Sequence, residues 1–342
     1  MTCPLVRIFI IAPLRRQTMK KKTAMLLLTF LVIYIFTFFV PRMMPGDPFS
    51  YLDYADTDTS GLMSEQHKAV MREYYGMNKP LVTQFAETVR NNLHGNFGTS
   101  IYYKGPVLSL VISKLGWSLY MIFTTQVLSL LLGTLLAKLS LRHTRMDTGI
   151  YGVMTVMAEV PSFLIGIALL FLVAAQVKWI PLSGAFSSFA RYQNEWEHVS
   201  DILIHSLMPV SAMVLATTPM FYFTARTSFL NIAEKKYVYA ARAKGLPPRR
   251  IWRKYIVLNG MMPVVARFFL CVARCVEATL LVENVFAYPG LGKLMRDAVV
   301  FRDYPLIQGV FLVSTVIVLL SSYISDIIGL FIGKENEYAK TN

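Results

Sequence analysis

Long apolar runs alternate with shorter polar stretches along this 342-residue chain. A helix needs about 20 mostly apolar residues to cross a bilayer, and six runs suit that length. They cover residues 23–40, 115–137, 150–177, 202–223, 255–282 and 306–332. The pattern predicts an all-α polytopic membrane protein with about six transmembrane helices, in a single domain at 23–332.

The third run is interrupted near its middle by Glu159 and Pro161. Proline removes a backbone donor and breaks a helix, and backbone groups freed inside a bilayer need protein or water as partners. We therefore expect Glu159 to face a pore or another subunit. A structural role and a substrate role are both open.

Basic residues are unevenly spread along the chain, which carries 34 Lys and Arg against 20 Asp and Glu, a net charge of +14. The basic excess falls on alternate connections: before the first run, between the second and third, and between the fourth and fifth. Because cytoplasmic loops carry such an excess, we predict that both termini are cytoplasmic. The charge is then a topology signal, and no nucleic-acid partner is expected.

The composition excludes several classes of protein. Hydrophobic residues make up 55% and charged residues only 16%, whereas a soluble chain carries about 25% charged residues. Three cysteines are too few for a disulfide framework. The sequence contains no P-loop, no His-Glu-x-x-His and no Gly-x-Ser-x-Gly motif. We expect no catalytic residue, no metal and no bound cofactor. A membrane enzyme would need a nucleophile or a metal cluster, and the sequence shows neither.

The regions outside the runs have separate predictions. Residues 1–22 form a cytoplasmic N-terminal segment, in which Met19, followed by three lysines, competes with Met1 as the initiator. Residues 333–342 form a cytoplasmic tail. The region 41–112 should be an extracytoplasmic cap with helices at 65–75 and Leu81–Leu93. The cap either contacts a binding protein or only packs at the membrane interface.

The connection at about 232–255 is predicted to be a rigid helix–glycine–helix element on the cytoplasmic side. A short helix covers 234–244, and Gly245 suits the left-handed position that ends a helix. Pro247 and Pro248 then suit the start of the next helix. Charge alone would fit an ordinary basic loop, but the order of small residues, Gly and Pro favours a surface for docking another protein.

This connection resembles the coupling-loop motif of permease subunits in ATP-binding-cassette (ABC) importers, more narrowly of their dipeptide/oligopeptide/nickel branch. The matching residues are Tyr237, Ala241, Arg242, Ala243, Lys244, Gly245 and Leu246. Further matches follow in order, among them Pro45-Gly46-Asp47-Pro48 and Pro289-Gly290-Leu291-Gly292. The resemblance covers about 23–332. Lys236 and Tyr239 depart from acidic positions of the motif, which suggests a lineage-specific ATPase partner.

The resemblance implies a non-catalytic membrane subunit that forms half of a translocation path for di- or oligopeptides. The seven matching residues would couple it to two separate ABC ATPase subunits, which use ATP and Mg²⁺. A second homologous permease, usually different, and an extracytoplasmic solute-binding protein complete the assembly in a bacterial or archaeal cell membrane. The same architecture could import nickel or a metal chelate. A stand-alone channel or secondary transporter is a further alternative. However, the sequence shows no convincing internal repeat, and the docking loop would have no purpose in such a protein.

Three charged residues, Arg267, Arg274 and Glu277, lie inside the fifth run. A charge at the bilayer centre costs about 2.5–3.5 kcal/mol on insertion scales, and the helical repeat places all three on one face. One interpretation is a salt-bridge stripe that packs against other helices, with Arg274 and Glu277 paired at i, i+3. The other is a lining of the translocation path, suited to a charged peptide terminus or a chelate.

Arg302 and Asp303 lie between the last two runs, on the side predicted to be extracytoplasmic. They are candidates for docking a solute-binding protein. An internal turn stabilised by the pair is the alternative.

Overall fold

The computed structural model describes the backbone of residues 4–44, 48–49, 65–142, 144–187 and 190–338, and the side chains within 20–329 apart from these gaps and residue 144. Part of the Pro-Gly-Asp-Pro motif at 45–48 and the polar stretch 50–64 lie outside the described residues. The side chain of Met19 and the side chains of the predicted tail do so as well.

The described part of the chain is helical and contains no strand. Its helices are α1 (Pro4–Arg42), α2 (Glu65–Tyr74), α3 (Leu81–Leu93), α4 (Val107–Ser140), α5 (Thr144–Glu159), α6 (Ser162–Leu169), α7 (Glu195–Ala233), α8 (Lys236–Ala243), α9 (Pro248–Val285), α10 (Leu291–Val300) and α11 (Tyr304–Tyr338). A π-helical turn, Leu170–Ala174, follows α6, and another, Ile251–Val257, lies within α9.

Five helices are long and apolar enough to cross a membrane: α4, α7, α9, the Lys20–Arg42 part of α1 and the Tyr304–Gly329 part of α11. The sixth candidate is the pair Arg145–Glu159 and Ser162–Ala174, which is bent by 100° at its break. Counting the bent pair as one span gives the six that the hydrophobic pattern predicts. The bend lies at Pro161, where the sequence predicts a broken helix.

The chain divides into two compact units. The first comprises Met1–Ser113 and Leu294–Leu319, and the second comprises Lys114–Lys293 and Leu320–Asn342.

In the first unit, α3 packs against the end of α1. The ring of Phe85 meets the rings of Phe38 and Phe39 at centroid distances of 5.1 and 5.8 Å. The guanidinium of Arg42 lies over the Phe38 ring, and its Nε donates to Gln84 Oε1 at 3.2 Å. The two predicted helices of the 41–112 region are thus present, at Glu65–Tyr74 and Leu81–Leu93.

In the second unit, α7 is the central helix and packs against α5, α6 and α9. It also approaches α4 closely at Gly133, where a Cβ atom would lie 2.8 Å from the backbone nitrogen of Tyr222. A buried cluster joins Phe221 and Phe229 of α7 to Val238 of α8 and Ile256 of α9. The short helix α8 is therefore fixed to the membrane helices by this buried cluster.

Candidate functional site

The segment that resembles a coupling loop forms the short helix α8 and a tight turn into α9. Val238 and Ala241 point into the core and are almost completely buried. Gly245 has φ +71°, the left-handed conformation that favours glycine. Its N–H donates to the carbonyl of Arg242 at 2.9 Å, and the N–H of Leu246 donates to the carbonyl of Ala241 at 3.3 Å. These bonds satisfy the last carbonyls of α8 and fix the direction of the chain after it.

The opposite face of this segment is open. Five of the seven predicted coupling residues are exposed, whereas Ala241 is buried and Leu246 is half-buried against the core. The exposed ones are Tyr237, Arg242, Ala243, Lys244 and Gly245. Aromatic, basic and small residues are thus presented together on the surface. We call residues 236–246 the coupling segment.

The helices before and after the coupling segment, α7 and α9, contact each other directly. The rings of Phe229 and Trp252 meet at 5.5 Å. Ser228 Oγ donates to the carbonyl of Gly260 at 2.8 Å, and a Cβ on Gly260 would come within 2.6 Å of the Phe229 ring. The two membrane helices that flank α8 are therefore in direct contact with each other.

An ion pair between Arg226 of α7 and Asp147 of α5 lies near the coupling segment. The Nε and Nη2 of Arg226 donate to the two carboxylate oxygens of Asp147, at 2.8 and 2.6 Å. The hydroxyl of Ser140 also donates to Asp147. In the sequence, Asp147 is only an acidic residue in a basic connection. Its pairing with Arg226 is not predicted, because no local pattern pairs residues from different helices.

A cavity of about 380 Å³ lies at the break between α5 and α6. Its walls come from the break itself, from α7 and from α9. They are Ala158, Glu159, Val160, Pro161, Ser162, Phe163, Ala216, Thr217, Met220, Arg274, Glu277, Ala278 and Leu281. Three of the four predicted path residues, Glu159, Arg274 and Glu277, therefore line one cavity. We call it the charged cavity.

The fourth predicted path residue, Arg267, is not part of this cavity. Its Nε donates to Thr224 Oγ1 of α7 at 3.1 Å. The helical repeat puts Arg267 on the same face as Arg274, but the two lie about two turns apart along α9. Arg267 does not line the charged cavity, and its role in the translocation path stays a prediction.

Arg302 and Asp303 have different environments. Arg302 has φ +52° and is partly exposed. Asp303 is completely buried, and its Oδ2 accepts hydrogen bonds from Ser100 Oγ at 2.5 Å and from the N–H of Tyr102 at 3.0 Å. Burial raises the pKa of Asp303, and these hydrogen bonds partly oppose the effect. The Asp303 carboxylate is thus used inside the fold and offers no surface to a docking partner. A turn stabilised by the pair of Arg302 and Asp303 stays a prediction. Docking by Arg302 stays a prediction.

A buried carboxylate that the sequence gives no role lies at the end of α9. Glu283 accepts hydrogen bonds from Ser118 Oγ at 2.6 Å and from the N–H of Gly292 at 2.5 Å. The N–H of Leu291 donates to Ser118 Oγ at 2.8 Å. A Cβ on Gly290 would collide with the Glu283 carboxylate. The Pro-Gly-Leu-Gly turn is therefore folded around this side chain and begins α10.

Metal ligands form no cluster in the described part of the chain, since no three His, Cys, Asp or Glu residues lie together there in a way that could hold a metal ion. Cys271 and Cys275 are both buried and free.

Comparison with known proteins places this geometry in a family. Residues 129–335, which include the coupling segment, match the model of the binding-protein-dependent transport system inner membrane component. The chain is 29% identical over 323 residues to an oligopeptide transport system permease protein of Bacillus subtilis, covering 93% of this chain and 98% of the relative. It is 30% identical over 295 residues to a probable peptide ABC transporter permease protein of Sinorhizobium fredii, covering 85% and 87%.

A likeness to a solved structure supports the same fold. The methionine ABC transporter MetNI, in an inward-facing conformation, aligns with a TM-score of 0.51 at 14% sequence identity. The alignment covers 65% of this chain and 96% of the solved chain. The helical arrangement of an ABC importer permease is therefore present in this protein.

Proposed function

The chain belongs to the family of binding-protein-dependent transport system inner membrane components, and we propose that its cargo is di- or oligopeptides. As a member of this family it is a multi-pass membrane permease of an ABC importer. Coupling to a separate ATPase is the general behaviour of such permeases. The observation that carries the choice of cargo is the match, over 93% of the chain, to an oligopeptide permease.

Coupling is proposed to occur at the coupling segment. Its exposed residues are Tyr237, Arg242, Ala243, Lys244 and Gly245, and its buried residues Val238 and Ala241 tie it to the core. An ATPase that closes on ATP would push on the exposed face. The contacts of α8 with α7 and α9 would pass that push to the membrane helices. The membrane helices of this chain then move and form part of the translocation path, while ATP and Mg²⁺ bind to the ATPase.

The assembly is proposed to contain this chain, a second and different permease, two ATPases and an extracytoplasmic binding protein. Both termini of this chain would lie in the cytoplasm, in agreement with the basic residues of the coupling segment and of the segment before α1. Import of nickel or a chelate stays the alternative, but the two relatives reported above are named as an oligopeptide permease and a probable peptide permease.

The proposal is tested with the complete importer in proteoliposomes that contain ATP. Radiolabelled trialanine is supplied with the binding protein, and ⁶³Ni²⁺ is supplied in a parallel experiment. We expect trialanine uptake that requires both ATP and the binding protein. Uptake of nickel without peptide uptake would contradict the proposed cargo, and peptide uptake that needs no ATPase would contradict the coupling.

A further inference from the structure

The charged cavity contains three ionisable side chains that do not neutralise one another. The side chains of Glu159 and Glu277 make no hydrogen bond or ion pair within the part of the chain that the structure describes. Arg274 Nη1 donates to the sulfur of Met220 at 3.4 Å and has no carboxylate partner among the described residues. The expected i, i+3 pair between Arg274 and Glu277 is therefore not formed. A salt-bridge stripe within this chain does not explain these charges.

The position of these charges makes their isolation costly. Arg274 and Glu277 lie within α9, which is apolar enough to cross the membrane, and Glu159 lies at the break of the bent pair that is the sixth candidate span. A charge facing lipid there costs about 2.5–3.5 kcal/mol on insertion scales. All three side chains are exposed in this chain. Such residues persist only when they face water, another protein chain or a charged solute.

The break between α5 and α6 creates the space that these side chains face. Glu159 ends α5, Pro161 prevents the helix from continuing, and the chain turns by 100° into Ser162. Thr217 and Met220 of α7 line the cavity beside the break. Its volume of about 380 Å³ lies within the range of small-molecule pockets, about 300–1,000 Å³. A small peptide in transit is of a size to enter it.

We propose that the charged cavity is a subsite for the free ends of a peptide, which rests on the proposed peptide cargo. The carboxylates of Glu159 and Glu277 bind the α-ammonium group, and the guanidinium of Arg274 binds the α-carboxylate in the two-pronged geometry that arginine favours. Two carboxylates against one guanidinium leave a net negative charge, so the cavity prefers a peptide with an additional positive charge. Selection by charge then occurs in the membrane as well as in the binding protein.

The test uses the complete importer in proteoliposomes with trialanine as the probe. Glu159→Gln and Glu277→Gln are each expected to lower trialanine uptake about tenfold or more, because each removes a charge-assisted hydrogen bond. ATP hydrolysis stimulated by the loaded binding protein should persist in both variants, since neither residue touches the coupling segment. Glu277→Asp, which keeps the carboxylate, should retain more uptake than Glu277→Gln. The matched control is Glu195→Gln, which neutralises an exposed glutamate outside the cavity and should change neither quantity.

A second readout does not depend on transport. In the assembled complex, Glu277→Cys is combined with Cys3→Ser and alkylated with a maleimide. The Cys3→Ser variant alone gives the background, because Cys271 and Cys275 are buried. Trialanine should slow the alkylation, whereas N-acetyl-trialanine amide, which lacks both charged ends, should not.

Three results would overturn the subsite. They are normal uptake in both glutamine variants, loss of the second permease from the complex of either variant, and an alkylation rate that trialanine does not change. The second of these would mean that the charges pair with the neighbouring permease. If the unmodified importer takes up no peptide at all, the proposed cargo is wrong, which is a separate failure.

Discussion

The guanidinium of Arg226 and the carboxylate of Asp147 form a two-pronged ion pair, with N–O distances of 2.8 and 2.6 Å. The two side chains are only 22% and 24% exposed. Because Ser140 donates to the same carboxylate, one acidic group connects α4, α5 and α7. This connection lies at the end of α7 that leads into the coupling segment.

Arg226→Lys should weaken this connection, because a lysine cannot donate two parallel hydrogen bonds to one carboxylate. In a double-mutant cycle with Asp147→Asn, we expect a coupling free energy of about 1 kcal/mol, since the pair is partly exposed to solvent. The measurement is thermal unfolding of the purified protein in detergent. Purely additive losses of stability would show that the two residues act independently.

Gly133→Ala should destabilise the contact between α4 and α7. The new Cβ would lie 2.8 Å from the Tyr222 nitrogen and 3.0 Å from the Thr218 carbonyl, and a backbone cannot yield as a flexible side chain does. The expected loss is about 1–3 kcal/mol of unfolding free energy. Gly149→Ala is the matched control, because nothing lies within 4 Å of its Cβ position. Equal melting temperatures for the two variants would contradict the close approach of the helices.

Ser118→Ala should loosen the start of α10. The substitution removes the hydroxyl that donates to Glu283 and accepts from the N–H of Leu291, so two buried groups lose a partner at a cost of about 1–3 kcal/mol each. Faster amide exchange in residues 291–300 is the expected result. Ser113→Ala should leave exchange unchanged, because its exposed hydroxyl bonds only to its own helix. Unchanged exchange in the Ser118 variant would mean that the Glu283 network does not fix this turn.

Two alanines of the coupling segment should respond differently to the same change. Ala241 is 3% exposed and packs in the core, whereas Ala243 is exposed. Ala241→Glu should lower the melting temperature, because it places a charge among apolar side chains. Ala243→Glu should leave the melting temperature unchanged but weaken binding of the ATPase about tenfold or more. Normal ATPase binding in the Ala243 variant would exclude this face from the interface.

The long elements and the break at Pro161 are predictable from the sequence because they depend on local composition. Apolar length marks the spans, proline marks the bend, and glycine followed by two prolines marks the end of α8. The helix Leu81–Leu93 has the predicted bounds, and the predicted helix at 65–75 ends one residue earlier in the structure, at Tyr74.

The pairing of side chains from distant parts of the chain is not predictable in this way. Asp147 and Arg226 are 79 positions apart, and Ser118 and Glu283 are 165 apart, so no local pattern joins them. Helical periodicity groups Arg267 with Arg274 and Glu277, yet the cavity depends on depth along α9 as well as on the face. The burial of Asp303 also depends on Ser100 and Tyr102 from a distant segment.

Recovery of the ATPases with the tagged permease shows whether they bind at the coupling segment. The tagged protein is extracted from native membranes in mild detergent, and its partners are identified by mass spectrometry. Gly245→Pro is compared with Gly95→Pro. Both glycines follow a helix end, have positive φ (+71° and +79°) and donate an N–H to a carbonyl three residues earlier, so proline removes the same bond and the same conformation at each.

The unmodified protein and Gly95→Pro should bring down ATPase subunits together with a second permease. Gly245→Pro should retain the second permease and lose the ATPases, because only this glycine shapes the coupling segment. ATPases that remain bound to the Gly245→Pro variant, or an unmodified protein that elutes without them, would contradict docking of the ATPases at the coupling segment.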